Sequence, residues 1–315
     1  MLAGTAGVHA QEVAAAPAVT ATDDDGFVAA HRGFWRAFSN RDLWGISELW
    51  DIKDPLTSAI LPAASTPSVG WLAVADSFRH SFAHNRNIKI DVKPIRWQRQ
   101  DDVAWLVSAV RFEAIQTQTG QPIRMDRMLV TEIFERRRGA WKMIHYHAHF
   151  PSFDLPGLEP NSSDVIPVPI RTRDGAARPG DDEIWGLYER FYAALEGRDL
   201  DGMMDIFSAD GTVTALLPKS PVPFVGRDNV SSSWKRSFDE IDGLEIEASH
   251  TTLGGSDQVA WIMEYGSMQM ILKDAPYKVL YFPIMATYVF RKEPVGWRLA
   301  HYHSHLSVFD DGHSH

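Results

Sequence analysis

Hydrophobic and polar positions follow the same succession twice along the chain. Each run opens with aromatic residues at helical spacing, Phe34 and Phe38 in the first and Trp185, Tyr188 and Tyr192 in the second. That spacing predicts an amphipathic helix. Arg41-Asp42-Leu43 and Arg198-Asp199-Leu200 break it and start a short second helix, with Asp42 and Asp199 placed as caps rather than as catalytic acids. A short strand ending at Leu61-Pro62 or Leu217-Pro218 follows, then a Pro-rich loop reaching Gly70 or Gly226. A third helix is expected over about Trp71–Phe82 or Asp228–Phe238. Long strands complete the unit, in the first run over Ile88–Trp97, Val103–Ile115, Arg124–Glu135 and Ala140–Phe150. Helices first and an antiparallel sheet afterwards define an α+β fold.

The succession is an internal repeat. His145-Tyr146-His147-Ala148-His149 returns 156 residues later as His301-Tyr302-His303-Ser304-His305. The same offset links Trp141 to Trp297, Val103-Ala104-Trp105 to Val259-Ala260-Trp261, and Val69-Gly70 to Val225-Gly226. A repeat this long means two homologous domains rather than a solenoid. The expected organisation is a tail or export-signal remnant at 1–24, a domain at 25–153, a Pro-rich linker at 154–181, a second domain at 182–308 and a tail at 309–315. Val8-His9-Ala10 suits a signal-peptidase site, but the start lacks a basic segment, so an exported or a cytoplasmic location stays open. His313 and His315 read as a solvated tail.

This layout resembles the nuclear transport factor two-like superfamily, in its SnoaL-like branch. The resemblance rests on the aromatic helix before Arg-Asp-Leu, the Val-Gly before the third helix and the Val-Ala-Trp strand. It rests most on the closing strands Gly139-Ala140-Trp141-Lys142-Met143-Ile144-His145-Tyr146-His147 and Val295-Gly296-Trp297-Arg298-Leu299-Ala300-His301-Tyr302-His303. It implies two cones, each a curved antiparallel sheet wrapped around about three helices, and reactions of the isomerase, dehydratase, cyclase or lyase kind. A similar ending occurs in kinase association domains and, more loosely, in iota-class carbonic anhydrases. Relatives commonly carry Ser two places after the second His, where this chain has His149 and His305. That departure speaks against carbonic anhydrase.

Composition narrows the partners. The 315 residues carry 31 Lys and Arg against 41 Asp and Glu, a net charge of −10, which disfavours nucleic acid. No apolar run approaches the ~18 residues of a bilayer span, so no membrane partner is expected. There is no cysteine, hence no disulfide and no thiolate chemistry. Eleven Trp, 16 Phe and 8 Tyr could line a pocket for a flat, small-molecule substrate.

Strict strand alternation puts Trp141, Met143, His145, His147 and His149 on one face, expected to floor a cleft. Tyr146 and Tyr302 would then lie on the outer face, where the two halves would pack as an intramolecular pseudo-dimer, with further oligomerisation open. The candidate catalytic residues are His145, His147, His149, His301, His303 and His305, because a pocket imidazole passes protons near neutrality. No cofactor is needed for that chemistry. The alternative is a divalent metal on His147, His149, His303 and His305. One straight strand spreads its outer two histidines about 13 Å apart, too far to converge on a single ion. Arg111, Arg127, Tyr265 and Tyr281 are candidate substrate contacts. A non-catalytic binding or scaffold role remains a third reading.

Overall fold

In a computed structural model of the chain, the structure describes residues 26–62, 64, 66–151, 170–173, 177–218 and 220–306. The expectations on the N-terminal segment, on most of the linker and on His313 and His315 lie outside these residues.

The first half runs α1 (Gly26–Ser39), α2 (Leu43–Leu49), β1 (Ser58–Ile60), β2 (Ser68–Val69), α3 (Trp71–His84), β3 (Asn85–Gln100), β4 (Val103–Gln116), β5 (Pro122–Arg137) and β6 (Ala140–His149). After β7 (Ile170–Arg173), the second half repeats it as α4 (Asp181–Gly197), α5 (Leu200–Ile206), β8 (Thr214–Leu216), β9 (Phe224–Val225), α6 (Arg227–Glu240), β10 (Ile241–Gly255), β11 (Val259–Leu272), β12 (Ala275–Glu293) and β13 (Gly296–Leu306). The sheets have the orders β2-β1-β6-β5-β4-β3 and β7-β10-β11-β12-β13-β8-β9. The long strands are antiparallel neighbours, while β1 and β8 join β6 and β13 in parallel. The α+β cone is present twice. Part of the expected linker departs from a plain spacer, because β7 pairs in parallel with β10 at the edge of the second sheet.

Local chemistry sets the element ends. The carboxylates of Asp42 and Asp199 accept hydrogen bonds from the backbone N–H of Gly45 and Gly202, capping α2 and α5 as expected. Gly70 and Gly226 precede α3 and α6 at φ of +81° and +86°, a region that favours glycine and explains the Val-Gly signature.

Each half has its own core between helices and the concave side of its sheet. Phe34, Phe78 and Phe134 anchor the first, and Phe191, Tyr288 and Phe290 the second. A third apolar cluster draws on both halves, with Ile60, Trp105, Ile133 and Ile144 against Trp261, Met263, Met285 and Val289. The two sheets therefore pack against each other through their outer faces. Gln98 and Thr212 bridge them with two hydrogen bonds, and Trp261 Nε1 donates to Glu135 Oε1 at 3.2 Å.

Candidate functional site

The histidine strands sit on the opposite side from the one strict alternation predicts. Ile133 pairs with His145 but Phe134 pairs with Met143, leaving Ile144 as an extra residue in β6. Val289 and Phe290 likewise pair with His301 and Leu299, leaving Ala300 extra in β13. A β-bulge of one residue shifts the side-chain alternation by one. Trp141 and Met143 thus join the first core, whereas His145, His147 and His149 turn outward into the layer between the sheets. Tyr146 and Tyr302, expected on the outer face, point into the cones. The outer faces that meet between the halves carry these histidines beside the apolar cluster of Ile144 and Trp261, and not Tyr146 and Tyr302.

All six histidines are at most 3% exposed and form two chains related by the duplication. In one, Ser58 Oγ meets His145 Nδ1 at 2.8 Å, and His145 Nε2 meets Thr287 Oγ1 at 2.8 Å. Thr287 Oγ1 meets His147 Nδ1, and His147 Nε2 meets His305 Nδ1, each at 2.8 Å. The other runs Thr214, His301, Thr131, His303, His149, with contacts of 2.7, 2.9, 2.8 and 2.6 Å. A neutral imidazole has one donor and one acceptor nitrogen, so each chain has a direction. If Ser58 donates to His145, every group down to His305 is satisfied except the terminal Nε2–H. The reverse polarity leaves both that nitrogen and the Ser58 proton without a partner, so the forward assignment wins. Burial drives the imidazoles toward neutrality: His145, His149 and His301 fall to about 3 and His305 to about 4. His147 and His303 drop well below the ordinary range, with neighbouring imidazoles adding to burial.

Most imidazole nitrogens of this layer are already engaged within it. His147 Nε2 and His303 Nε2 are engaged by partner rings, and only the Nε2 atoms of His149 and His305 are without a partner. Among the described residues no group of three or more His, Asp or Glu is disposed to hold a metal ion.

The described cavity lies instead inside the second cone. It encloses about 350 Å³ and is walled by Leu195, Trp234, Met268, Met270, Ile284 and Leu306, among others. Its polar groups include Tyr302 and Ser304 on β13 and Arg236 and Glu240 on α6. Burial raises the Tyr302 hydroxyl above its ordinary range, an effect the Ser304 and Tyr288 hydroxyls partly offset. The Tyr302 and Tyr288 rings lie 5.1 Å apart. Tyr288 donates in turn to Glu264 Oε2 at 2.8 Å, Tyr188 donates to the same oxygen at 3.0 Å, and Tyr192 donates to Oε1. Glu264 is fully buried, which raises its carboxyl, while the three hydroxyls pull it back down.

The first cone solves the same place differently. His31, Trp35, Ser108 and Glu132 stand where Tyr188, Tyr192, Glu264 and Tyr288 stand in the second. There His31 Nδ1 contacts Glu132 Oε2 at 2.5 Å, both residues being buried. The carboxylate stands on β5 in the first cone and on β11 in the second, and both Glu132 and Glu264 are fully buried.

None of the ten expected site residues lines the cavity. Arg111 is an exposed partner of Asp126, Arg127 is exposed, and Tyr281 is 44% exposed. Tyr265 packs beside the apolar layer between the sheets. The residues that do gather around an acid, Tyr188, Tyr192 and Tyr288 about Glu264, are not among the candidate site residues of the sequence. Polar residues at equivalent inward positions of both halves were the available signal.

The SnoaL-like domain family matches residues 28–152 and 184–309. No protein of curated function matches the chain. Solved structures cover one half each. One, assigned to the calcium/calmodulin-dependent protein kinase type II association domains of Thiobacillus denitrificans, is 26% identical and covers 40% of this chain and 94% of its own, with a TM-score of 0.35. A nuclear transport factor two-like superfamily protein of Salmonella enterica is 12% identical over 42% of this chain and 95% of its own, TM-score 0.39. A ketosteroid isomerase-like protein of Erwinia carotovora is 16% identical over 42% and 100%, TM-score 0.38.

Proposed function

The chain belongs to the SnoaL-like domain family in both of its halves, and we propose that the second half is a small-molecule site with proton-transfer chemistry of the isomerase or dehydratase type. The observation that carries this reading is the cavity of about 350 Å³, whose mostly apolar wall includes Tyr302 and Ser304. That volume falls in the ~300–1,000 Å³ range of ligand pockets. Its aromatic and thioether lining suits a flat aromatic or small polycyclic molecule. Tyr302, kept protonated by burial, donates a hydrogen bond to an oxygen of that molecule on which negative charge develops. Behind it, Glu264 and its three tyrosines form a buried proton reservoir, a carboxyl raised by burial and held by neutral donors. The histidines act in this reading as the seal between the halves, and the catalytic role moves from them to Tyr302.

The test is turnover of a panel of aromatic and polycyclic ketones and secondary alcohols by the full chain. Tyr302→Phe is expected to lower kcat by about 10²–10⁴ while ligand affinity changes little. Unchanged turnover in Tyr302→Phe rejects the assignment. Binding without turnover by the wild type leaves the alternative that the same cavity supports equally well, a non-catalytic ligand carrier.

A further inference from the structure

We propose that the duplication has divided labour between the cones: the second takes one apolar guest, the first is filled by its own phenylalanines, and each chain binds one molecule. This rests on the reading of the second cone as the ligand site and adds which side chains decide that only one cone is open.

Leu195, Met268 and Leu306 are cavity wall, and the equivalent positions in the first half are Phe38, Phe112 and Phe150. The register confirms the middle pair, because Phe112 faces Ile90 across β3 and β4 as Met268 faces Ile246 across β10 and β11. Phe38 completes a ring cluster, with centroids 5.1 Å from Phe82, 5.8 Å from Phe78 and 6.0 Å from Phe34. Its counterpart Leu195 is a smaller, non-aromatic side chain and borders open space.

At the middle position the aromatic ring has moved rather than vanished. Met268 faces Phe282 on β12, whereas Phe112 faces Met125 on β5. Phe282 is buried in the second core but is not part of the cavity wall. Other exchanges run the other way, since Trp234, Phe224 and Met270 are larger than their counterparts Phe78, Ser68 and Ala114, and the cavity persists beside them. The wall also gains polarity, with Ser304 in place of Ala148. A cone closed by packed rings sheds few of its contacts when its partner evolves a site, because protein interiors tolerate neither voids nor overpacking. The first half then serves as the rigid partner on which the second is mounted.

The experiment is a fluorescence titration of the full chain with N-phenyl-1-naphthylamine, at protein concentrations well above the dissociation constant, so that the end point reads stoichiometry. One probe per wild-type chain is expected. Leu195→Phe with Met268→Phe is expected to abolish binding, and Phe38→Leu with Phe112→Met and Phe150→Leu to raise the stoichiometry to two. Two probes per wild-type chain would overturn the division of labour while leaving the second cone as a site. Opened variants that stay at one, with Phe38→Leu alone as the fallback if the triple variant does not fold, would overturn the role given to the phenylalanines. No binding by the wild type, or binding untouched by Leu195→Phe with Met268→Phe, would instead sink the second cone as the ligand site.

Discussion

His147 and His303 lie face to face at the centre of the molecule, ring centroids 3.6 Å apart and planes within 6°. The two belong to equivalent strands of the two halves, so their stack marks the approximate symmetry axis of the duplication. Each ring also bridges a threonine of the opposite half and a second histidine. Both rings are fully buried.

His147→Ala removes one ring of that stack and leaves the Thr287 hydroxyl and His305 Nδ1 short of a partner. A buried cavity plus unsatisfied polar atoms is expected to cost about 3–5 kcal/mol. Urea unfolding should show a lower midpoint. If the chain melts as the wild type does, the hydrogen-bonded layer is not holding the halves together.

The pH dependence follows from the direction of the histidine shifts. The folded-state values are depressed, to about 3 for His145, His149 and His301 and about 4 for His305. The unfolded chain titrates near ~6.5, so below that pH it binds more protons than the folded chain. Stability is therefore present above ~6.5 and is lost as pH falls toward 3, each histidine contributing at most about 1.4 kcal/mol per pH unit. Denaturant midpoints at pH 7, 5.5 and 4.5 should decline in that order. A rise on acidification would contradict neutral buried imidazoles.

Glu264→Leu strips the acceptor from three tyrosine hydroxyls, and Tyr288→Phe removes one donor from the same carboxyl. The first is expected to destabilise by about 3 kcal/mol or more and the second by about 1–2 kcal/mol. A calorimetric comparison in which Tyr288→Phe proves the more damaging would reverse the roles assigned to acid and donor.

Asp42→Ala and Asp199→Ala each remove a side-chain cap from a seven-residue helix. Each should cost about 1 kcal/mol, and the two together should add, because the sites lie in separate halves. Thermal denaturation of the single and double variants measures both points. A loss of turnover without loss of stability would show that an aspartate does chemistry instead.

The duplication, the order of helices and strands, the capping aspartates and the Val-Gly turns were all legible in the chain, because each depends on neighbours close in sequence. Helical spacing at Phe34 and Phe38 and the carboxylate three residues before Gly45 or Gly202 carry their own physical reasons. The direction in which the histidines point was not legible. It depends on a single extra residue in β6 and in β13, a bulge that only the pairing of Ile133 and Phe134, or of Val289 and Phe290, reveals. The acid centres were equally hidden, because Glu264 meets Tyr188 and Tyr192 from a helix more than seventy residues away. The cavity of the second cone was equally hidden. Sequence periodicity tells that a position faces inward; whether the space before it is filled depends on side chains arriving from several elements at once.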